Sequence, residues 1–357
     1  MRAGRIIYVL LAVFFVVSGR SKGSKRIACQ NDEALMSETN VGGQAVIEGV
    51  MMRSKDRVAT AVRIPNGEIL VKTDEYRSLS TRYRLLKLPI LRGVVTFGEM
   101  LVIGIKTLNF SAEVAVRELE REEATRKGEE FVDRTKKSSN LLLGVTMIFA
   151  MGLGIGIFFF LPLAIASLLN IEKDAVPFNL MAGVIRLTFF VLYVWGISFM
   201  ADFKRIFQYH GAEHKSIYAY EMGDDLEPKR ASKHTRFHPR CGTSFILIVA
   251  LLAILIYAIS DSIYTVWVGH PPTLFVRFGL HFSLLPLVAG SSYELIKLSG
   301  KTRGSAVTRT LIAPGLWLQK ITTKEPTMEQ LEVAIAALEA SLGITDSKLS
   351  CKRTAVP

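Results

Sequence analysis

Two histidines stand four residues apart in the sequence YHGAEHK, at His210 and His214. On a helix this spacing places both imidazole rings on one face, where two nitrogens can bind one zinc ion. Glu213 gives the order His-x-x-Glu-His of inverted zinc peptidases, in which the glutamate is the base that acts on the reacting water. The spacing predicts a metal site with Glu213 as its base. The alternative is a pair of interfacial histidines bonded to acidic groups.

Further ligand types follow in HTRFHPRCGT (234–243). The chain has six histidines, four of which lie between His210 and His238, and Cys241 comes soon after. His238 and Cys241 are therefore candidate metal ligands, although the same pair near a membrane could instead cap a helix. We expect Cys241 near a helix N-terminus, where the dipole favours the thiolate, so it is also a candidate nucleophile.

Four charged residues elsewhere are candidates for a third ligand or for substrate contacts: Glu294, Glu48, Arg92 and Glu99. Glu294 lies in an apolar run, where an acid usually has a functional or a pairing reason. Its alternative is a bond to Lys297 or to the neighbouring serines. Arg92, Glu99 and Lys106 recur every seven residues on one helix face, which indicates a helix in the membrane interface or a polar stripe facing a hydrated cavity.

The elements that would position these residues are apolar. Half of the 357 residues are hydrophobic, and four runs have close to the roughly 20 residues that cross a bilayer. They are 141–169, 180–200, 244–259 and 274–296. A further run, IIYVLLAVFFVVS (6–18), is an N-terminal fifth span, a signal peptide or the product of a mistaken upstream start. The predicted fold class is mainly α: a polytopic helical membrane protein with four main spans and a small cytoplasmic β-hairpin unit.

The basic residues indicate the orientation. The net charge is +12, and lysines and arginines concentrate at 134–137, 202–242 and 297–303, beside the apolar runs. The positive-inside rule places these segments and the C-terminus in the cytoplasm. The lipid bilayer is the expected partner. Nucleic acid is not, because no motif for it is present. The three cysteines are too few and too far apart to predict a disulfide framework.

The predicted organisation follows from these patterns. RVATAVRI and EILVKTDEY flank Pro65-Asn66-Gly67, which predicts a hairpin, and 42–54 predicts one strand between two tight turns. Thr327 and Gln330 have the spacing of a capping box. The predicted parts are an N-terminal anchor or extension (1–40), a β-containing unit (41–80), an amphipathic or embedded helix (88–112), a charged linker (113–140), a four-span domain with the His/Cys loop 202–242 (141–297), and a cytoplasmic tail with a helix (298–357).

Six blocks in order resemble one family. They are GGQAVIEGVMMR, LRGVVTFGEMLVIGIKTLNFSAE, YHGAEHKSIYAYE, HPRCGTSF, SYELIKLSG and PGLWLQKITTKEP, between residues 41 and 342. Together they resemble the YqhQ-like bacterial membrane proteins, a family of unknown function predicted to be metal-dependent enzymes. The resemblance implies a multi-pass protein of the bacterial cytoplasmic membrane with a shared polar site. It implies no substrate.

Three functions remain open. The leading hypothesis is a zinc or other divalent-metal hydrolase at the cytoplasmic membrane face, acting on a peptide, a lipid head group or an amphipathic metabolite. The second is a non-catalytic metal-stabilised scaffold or assembly factor, which predicts four protein ligands. The third is a transporter or an ion channel. The third predicted span contains no charged residue and the sequence indicates no broken-helix pair, which both disfavour transport.

Overall fold

The computed structural model describes residues 41–128, 140–169, 174–239, 241–301, 306–344 and 353–356. The predicted N-terminal anchor or extension (1–40) and part of the charged linker (129–139) lie outside the described residues. The described chain is mainly helical and carries one small sheet, as the sequence predicts.

The sheet begins the described chain and has the strand order β1-β2-β3-β4-β5. Strands β1 to β4 form an antiparallel meander, and β5 pairs in parallel with β4. The predicted hairpin is confirmed: β3 and β4 pair on either side of Pro65-Asn66-Gly67. The strands are β1 (Gly42–Val46), β2 (Gly49–Arg53), β3 (Arg57–Arg63), β4 (Ile69–Glu75) and β5 (Arg353–Val356).

The glycine-rich segment 42–54 differs from its prediction. It forms two paired strands, β1 and β2, joined by a two-residue turn, instead of one strand between two turns. Glu48 in this turn has a φ of 53°, in the left-handed region that glycine and asparagine usually occupy. The turn consists of Ile47 and Glu48, so it lacks the Asn-Gly or Asp-Gly signature by which such turns are predicted.

The helices follow the sheet. They are α1 (Leu79–Arg82), α2 (Leu91–Lys127), α3 (Asn140–Ile155), α4 (Leu161–Leu168), α5 (Ala175–Ile197), α6 (Ala201–Glu221), α7 (Pro228–Ala231), α8 (Gly242–Val268), α9 (Leu274–Ser283), α10 (Leu285–Lys301), α11 (Ala306–Thr322) and α12 (Met328–Leu342). A 3-10 turn, Arg84–Lys87, precedes α2, and a π-helical segment, Gly156–Phe160, joins α3 to α4.

Three helical stretches in the described chain are long and apolar enough to cross a membrane: Ile148–Leu168, Ala175–Ile197 and Phe245–Val268. A fourth candidate is the pair α9 and α10, which is bent by 47° around Leu284. These stretches correspond to the four predicted runs.

One expectation about these spans is wrong. The third span continues beyond residue 259 to Val268 and contains Asp261, because this carboxylate is fully buried and bonded inside the helix bundle. The bent pair α9 and α10 is at most one broken span, which the sequence did not indicate, and it is not the pair of broken helices that builds transport sites. The lack of a charged residue in the third span therefore no longer disfavours transport.

The sheet, α6 and α12 share one hydrophobic core. Val50 and Met52 of β2 pack with Tyr209 of α6 and with Leu331 and Ile335 of α12, and all five are almost fully buried. Helix α12 contacts both the sheet and α6. Its predicted capping box is present, with Thr327 and Gln330 bonded reciprocally. The helix predicted for the C-terminal tail is therefore a central element of this sheet unit.

Helix α2 connects the sheet unit to the apolar helices. It runs to Lys127, well beyond the predicted end at residue 112, and takes in part of the predicted linker. At Gly93 it approaches α10 so closely that a Cβ would lie 2.8 Å from the Gly290 oxygen. At Gly104 a Cβ would lie 2.7 Å from the side-chain oxygen of Gln44 in β1. Small residues thus allow both contacts.

Candidate metal centre

Helix α6 carries the His-x-x-Glu-His sequence near its middle. His210 and His214 lie on one face, with ring centroids 4.5 Å apart. His214 is 1 % exposed, and Glu213 between them is 5 % exposed. The predicted i, i+4 geometry is therefore present in the described structure.

Cys241 comes to the same point from another segment. It directly precedes α8, it is buried, and its Sγ lies 3.2 Å from Nε2 of His210. One ligand atom from each of His210, His214 and Cys241 lies within 4.8 Å of the other two. Among the described residues this is the group of histidine, cysteine and acidic side chains whose geometry could hold a metal ion.

Both imidazoles are held from behind by main-chain carbonyls. Nδ1 of His210 lies 2.8 Å from the Thr322 oxygen, and Nδ1 of His214 lies 2.5 Å from the Arg236 oxygen. Because a carbonyl only accepts, each Nδ1 carries the proton and a neutral ring has its lone pair on Nε2. This is the arrangement by which proteins orient metal-binding histidines. The Nε2 lone pairs of both rings are therefore available to accept a hydrogen bond or a cation.

The close approach of the chain after α11 explains Gly211. The Lys324 amide donates to the Phe207 carbonyl at 2.8 Å, which fixes this segment along α6. A Cβ on Gly211 would lie only 2.1 Å from the Lys324 oxygen. The glycine thus lets the segment that carries the Thr322 carbonyl reach His210.

Burial controls the charge of the neighbouring groups. It lowers the pKa of His214, which favours the neutral ring that metal binding requires. It raises the pKa of Glu213, while the nearby His210 and His238 rings and a backbone hydrogen bond from Gly43 act in the opposite direction. Gly43 has no side chain, and a Cβ there would lie 2.8 Å from the Glu213 carboxyl. Glu213 is thus enclosed between α6 and β1.

His238 lies beside the group of three and faces another partner. Its ring is 5.6 Å from that of His214, and its Nε2 is 3.6 Å from the Glu221 carboxylate. Its main chain is fixed by Gln319, which accepts from the His238 amide and donates to its carbonyl, both at 2.8 Å. His238 therefore forms a wall of the site and is not one of the three convergent ligands.

The remaining predicted candidates bond elsewhere. Glu294 pairs with Arg92, whose Nε lies 2.6 Å from Oε1. Glu99 accepts from the Tyr76 hydroxyl at 2.6 Å and from the Leu79 amide at 2.6 Å.

Glu48 pairs with Arg205 and lies 3.3 Å from the Tyr209 hydroxyl. None of the four predicted third-ligand or substrate-contact residues joins the convergent group among the described residues.

Several residues of the site were missed by the sequence analysis. Thr322 and Arg236 contribute only main-chain oxygens, so their side chains give no signal. Gln319 and Glu221 do lie in the blocks PGLWLQKITTKEP and YHGAEHKSIYAYE that carry the family resemblance. The position of Gln319 and Glu221 within these blocks was the sequence feature that could have identified them as site residues.

The fold and site together define a class: a mainly helical protein with three or four apolar helices that could span a membrane, and a largely buried His/His/Cys group beside a small sheet. Residues 88–344 match the family described as "Protein of unknown function (DUF1385)", and the chain belongs to this family. It is 32 % identical over 316 residues to the "Uncharacterized protein YqhQ" of Bacillus subtilis (strain 168), which covers 84 % of this chain and 92 % of the relative. No solved structure matches the chain. The YqhQ-like resemblance is confirmed.

Proposed function

We propose that this protein is a zinc-dependent hydrolase of the membrane, with its metal held by His210, His214 and Cys241. The observation that supports the proposal is the convergence of three ligand atoms within 4.8 Å of one another, with both imidazoles fixed by carbonyls. Two nitrogens and a sulfur suit zinc. Three protein ligands are typical of catalytic zinc sites, whereas structural sites have four.

The residues have separate tasks in this proposal. His210 and His214 offer Nε2 lone pairs, and Cys241 offers a sulfur at the N-terminus of α8, where the helix dipole favours the thiolate. Zinc, when bound, supplies Lewis acidity and makes a water molecule more acidic. Glu213, which precedes His214 in the chain, is the proposed base that takes the proton of the reacting water during hydrolysis. Its burial keeps this carboxyl away from bulk water.

The membrane placement rests on the shared core of the sheet unit. Because β2, α6 and α12 pack together, residues 41–76, 201–238 and 328–342 must lie on one side of a bilayer. The chain between α6 and α12 must then cross an even number of times, which requires the bent pair of α9 and α10 to act as one span alongside α8. The basic segments favour a cytoplasmic position for the sheet unit and the proposed metal site. The lipid bilayer is thus the proposed partner, in a bacterial cytoplasmic membrane.

The coordination sphere tests whether the site is catalytic. Zinc X-ray absorption of the detergent-purified full chain should show two nitrogens at about 2.0–2.1 Å, one sulfur at about 2.3 Å and one lighter atom from solvent. The sulfur contribution should disappear in Cys241→Ser. A fourth protein nitrogen or sulfur would instead favour the metal-stabilised scaffold.

Hydrolysis tests the role of Glu213. The zinc-loaded protein should cleave at least one probe from a panel of peptides, phospholipids and simple esters. Glu213→Gln should lower turnover by about 10²-fold or more and retain zinc. Glu332→Gln, which changes a carboxyl of α12 that pairs with Arg63, is the control and should leave turnover unchanged. Full activity in Glu213→Gln would exclude Glu213 as the base.

A further inference from the structure

A second polar cluster lies among the apolar helices. The Asp261 carboxylate of α8 is fully buried and is contacted by three side chains: Asn179 at 2.8 Å, His281 at 2.9 Å and Arg277 at 3.1 Å. The guanidinium of Arg277 is also buried, 3.7 Å from the centre of the Phe178 ring. One carboxylate and one guanidinium pair here, so this part of the cluster is balanced in charge.

Arg186 adds a second cation beside this pair. It lies at the middle of α5, donates from Nε to the Phe158 carbonyl at 3.0 Å, and stands 4.8 Å from the centre of the Phe159 ring. Among the described residues, its buried Nη2 has no hydrogen-bond partner and its guanidinium has no acidic partner. A guanidinium stays protonated in proteins, and an unpaired charge at membrane depth is costly. Arg186 nevertheless has no counter-anion among the described residues.

Two further buried polar atoms near Arg186, the Tyr257 hydroxyl and Nδ1 of His281, have no hydrogen-bond partner among the described residues. Tyr257 is 2 % exposed and its hydroxyl makes no hydrogen bond among the described residues. Its ring stacks on that of His281 with centroids 4.1 Å apart, and the Arg186 guanidinium lies 5.9 Å from the ring centre. Nδ1 of His281 is likewise buried and unbonded. Because buried polar atoms are nearly always paired, three unpaired ones on neighbouring residues mark a place for a polar group.

The backbone is irregular on both sides of the cluster. The Phe158 carbonyl that contacts Arg186 belongs to the π-helical segment Gly156–Phe160, and π segments often occur at functional sites. His281 lies in the last turn of α9, directly before the 47° bend at Leu284. Irregular backbone at membrane depth is tolerated where it is buried in protein or lines a cavity.

We propose that Arg186 and Tyr257 bind an oxyanion, the carboxylate or phosphate group of a ligand, among the apolar helices. The guanidinium fork matches two oxygens of either group, and the Tyr257 hydroxyl provides a further donor. The rings of Phe159 and Phe278, in edge contact at 5.5 Å, offer an apolar wall to the rest of the ligand. Tyr257 lies about 22 Å along α8 from its start beside Cys241 at 1.5 Å per residue, so this site is separate from the metal centre.

The test uses the full chain purified in mild detergent. Native mass spectrometry detects an acidic lipid retained through purification. Thermal unfolding with sodium phosphate, sodium acetate or sodium oleate, at constant ionic strength, detects an added anion. The variants are Arg186→Gln and Tyr257→Phe, which removes only the hydroxyl. Arg205→Gln is the control, because Arg205 already pairs with Glu48 in the sheet unit.

We expect the wild type and Arg205→Gln either to retain an acidic lipid or to gain about 2 °C or more in unfolding temperature with a soluble anion. The first result identifies a lipid source and the second a soluble ligand. Arg186→Gln should lose the bound lipid or the stabilisation by the anion. Tyr257→Phe should weaken lipid or anion binding several-fold. Both variants should keep their zinc.

No bound lipid and no response to anions in the wild type would overturn the proposal. An unchanged response in Arg186→Gln would also overturn it. If that variant does not fold, an unchanged response in Tyr257→Phe decides against the site. Because zinc content and hydrolysis are read separately, failure here leaves the proposed hydrolase untouched.

Discussion

His210 and His214 each use one ring nitrogen to bond the protein and direct the other towards Cys241. The carbonyls that hold them, from Thr322 and Arg236, come from two different segments after α6. The rings are therefore oriented only when the sheet unit and α11 have come together. Loss of such outer partners typically lowers metal affinity about 10–100-fold.

Replacing Gly211 by alanine should weaken both the fold and the metal site. The new Cβ would lie 2.1 Å from the Lys324 oxygen, so the chain there must move away and draw the Thr322 carbonyl from His210. We expect the free energy of unfolding to fall by about 1–3 kcal/mol. Zinc affinity, measured by competition with a chelator, should fall about 10-fold or more.

Gly98→Ala in α2 is the matched control for this change. Nothing lies within 4 Å of a Cβ at that position, and alanine favours a helix over glycine by about 1 kcal/mol. The control should be as stable as the wild type or more stable, with the same zinc affinity. Equal behaviour of the two alanine variants would show that the contact with Lys324 does not hold the site.

Glu294→Gln should leave the zinc content unchanged. Nε and Nη2 of Arg92 each bond one oxygen of the Glu294 carboxylate, and this pair links α2 to α10. We expect lower thermal stability and a full zinc complement, measured by elemental analysis of the purified protein. Loss of zinc in this variant would indicate that Glu294 is a metal ligand.

For single residues, the sequence indicates which side chains could do chemistry but does not indicate what they bond to. The motif YHGAEHK predicts two histidines on one face, and that geometry is present. Whether Glu294 binds a metal or a neighbour could not be predicted, because its partner Arg92 lies far away in the chain. The two carbonyls have no sequence signature at all.

Among the elements, α12 contributes most to the core of the sheet unit. Its residues from Val333 to Leu338 are fully buried, because the sheet covers one side and α6 another. The sequence predicts its start from the capping box, which is local chemistry. It does not predict burial on several faces, because polar residues such as Glu339 give it an amphipathic pattern.

Thr327→Ala should destabilise the protein by about 1 kcal/mol, the usual value of an N-cap hydroxyl. The hydroxyl accepts from the Gln330 amide, which would otherwise lack an intrahelical partner. Denaturant unfolding measures the change. Thr327→Ser keeps the oxygen and should retain most of the stability. Equal losses in the two variants would mean that the cap contributes nothing.

For the whole molecule, the shared core of the sheet unit implies, in the proposed topology, that its segments lie on one side of the membrane. The hairpin at Asn66 and helices α6 and α12 belong to one core. His270 lies in the loop between α8 and α9, at the end of α8 opposite to Cys241. The apolar runs predicted the three or four candidate spans. The bend at Leu284 and the buried Asp261 were missed, because paired polar groups inside a bundle look like a span end in the sequence.

A membrane-impermeant maleimide tests this topology. In a chain with Cys29 and Cys351 changed to serine, His270→Cys should be labelled in intact cells. Asn66→Cys should be labelled only after the cells are permeabilised, because positive segments stay inside. Labelling of both positions in intact cells would contradict the proposed orientation.

The most direct measurement of the central proposal is the zinc content of the full chain, purified without chelators and supplied with zinc. Wild type is compared with His210→Ala/His214→Ala and with His270→Ala, an exposed histidine outside the site. We predict about one zinc per chain in the wild type and in the His270 control, and almost none in the double variant. Absence of zinc from the wild type, or its retention in the double variant, would contradict the metal centre.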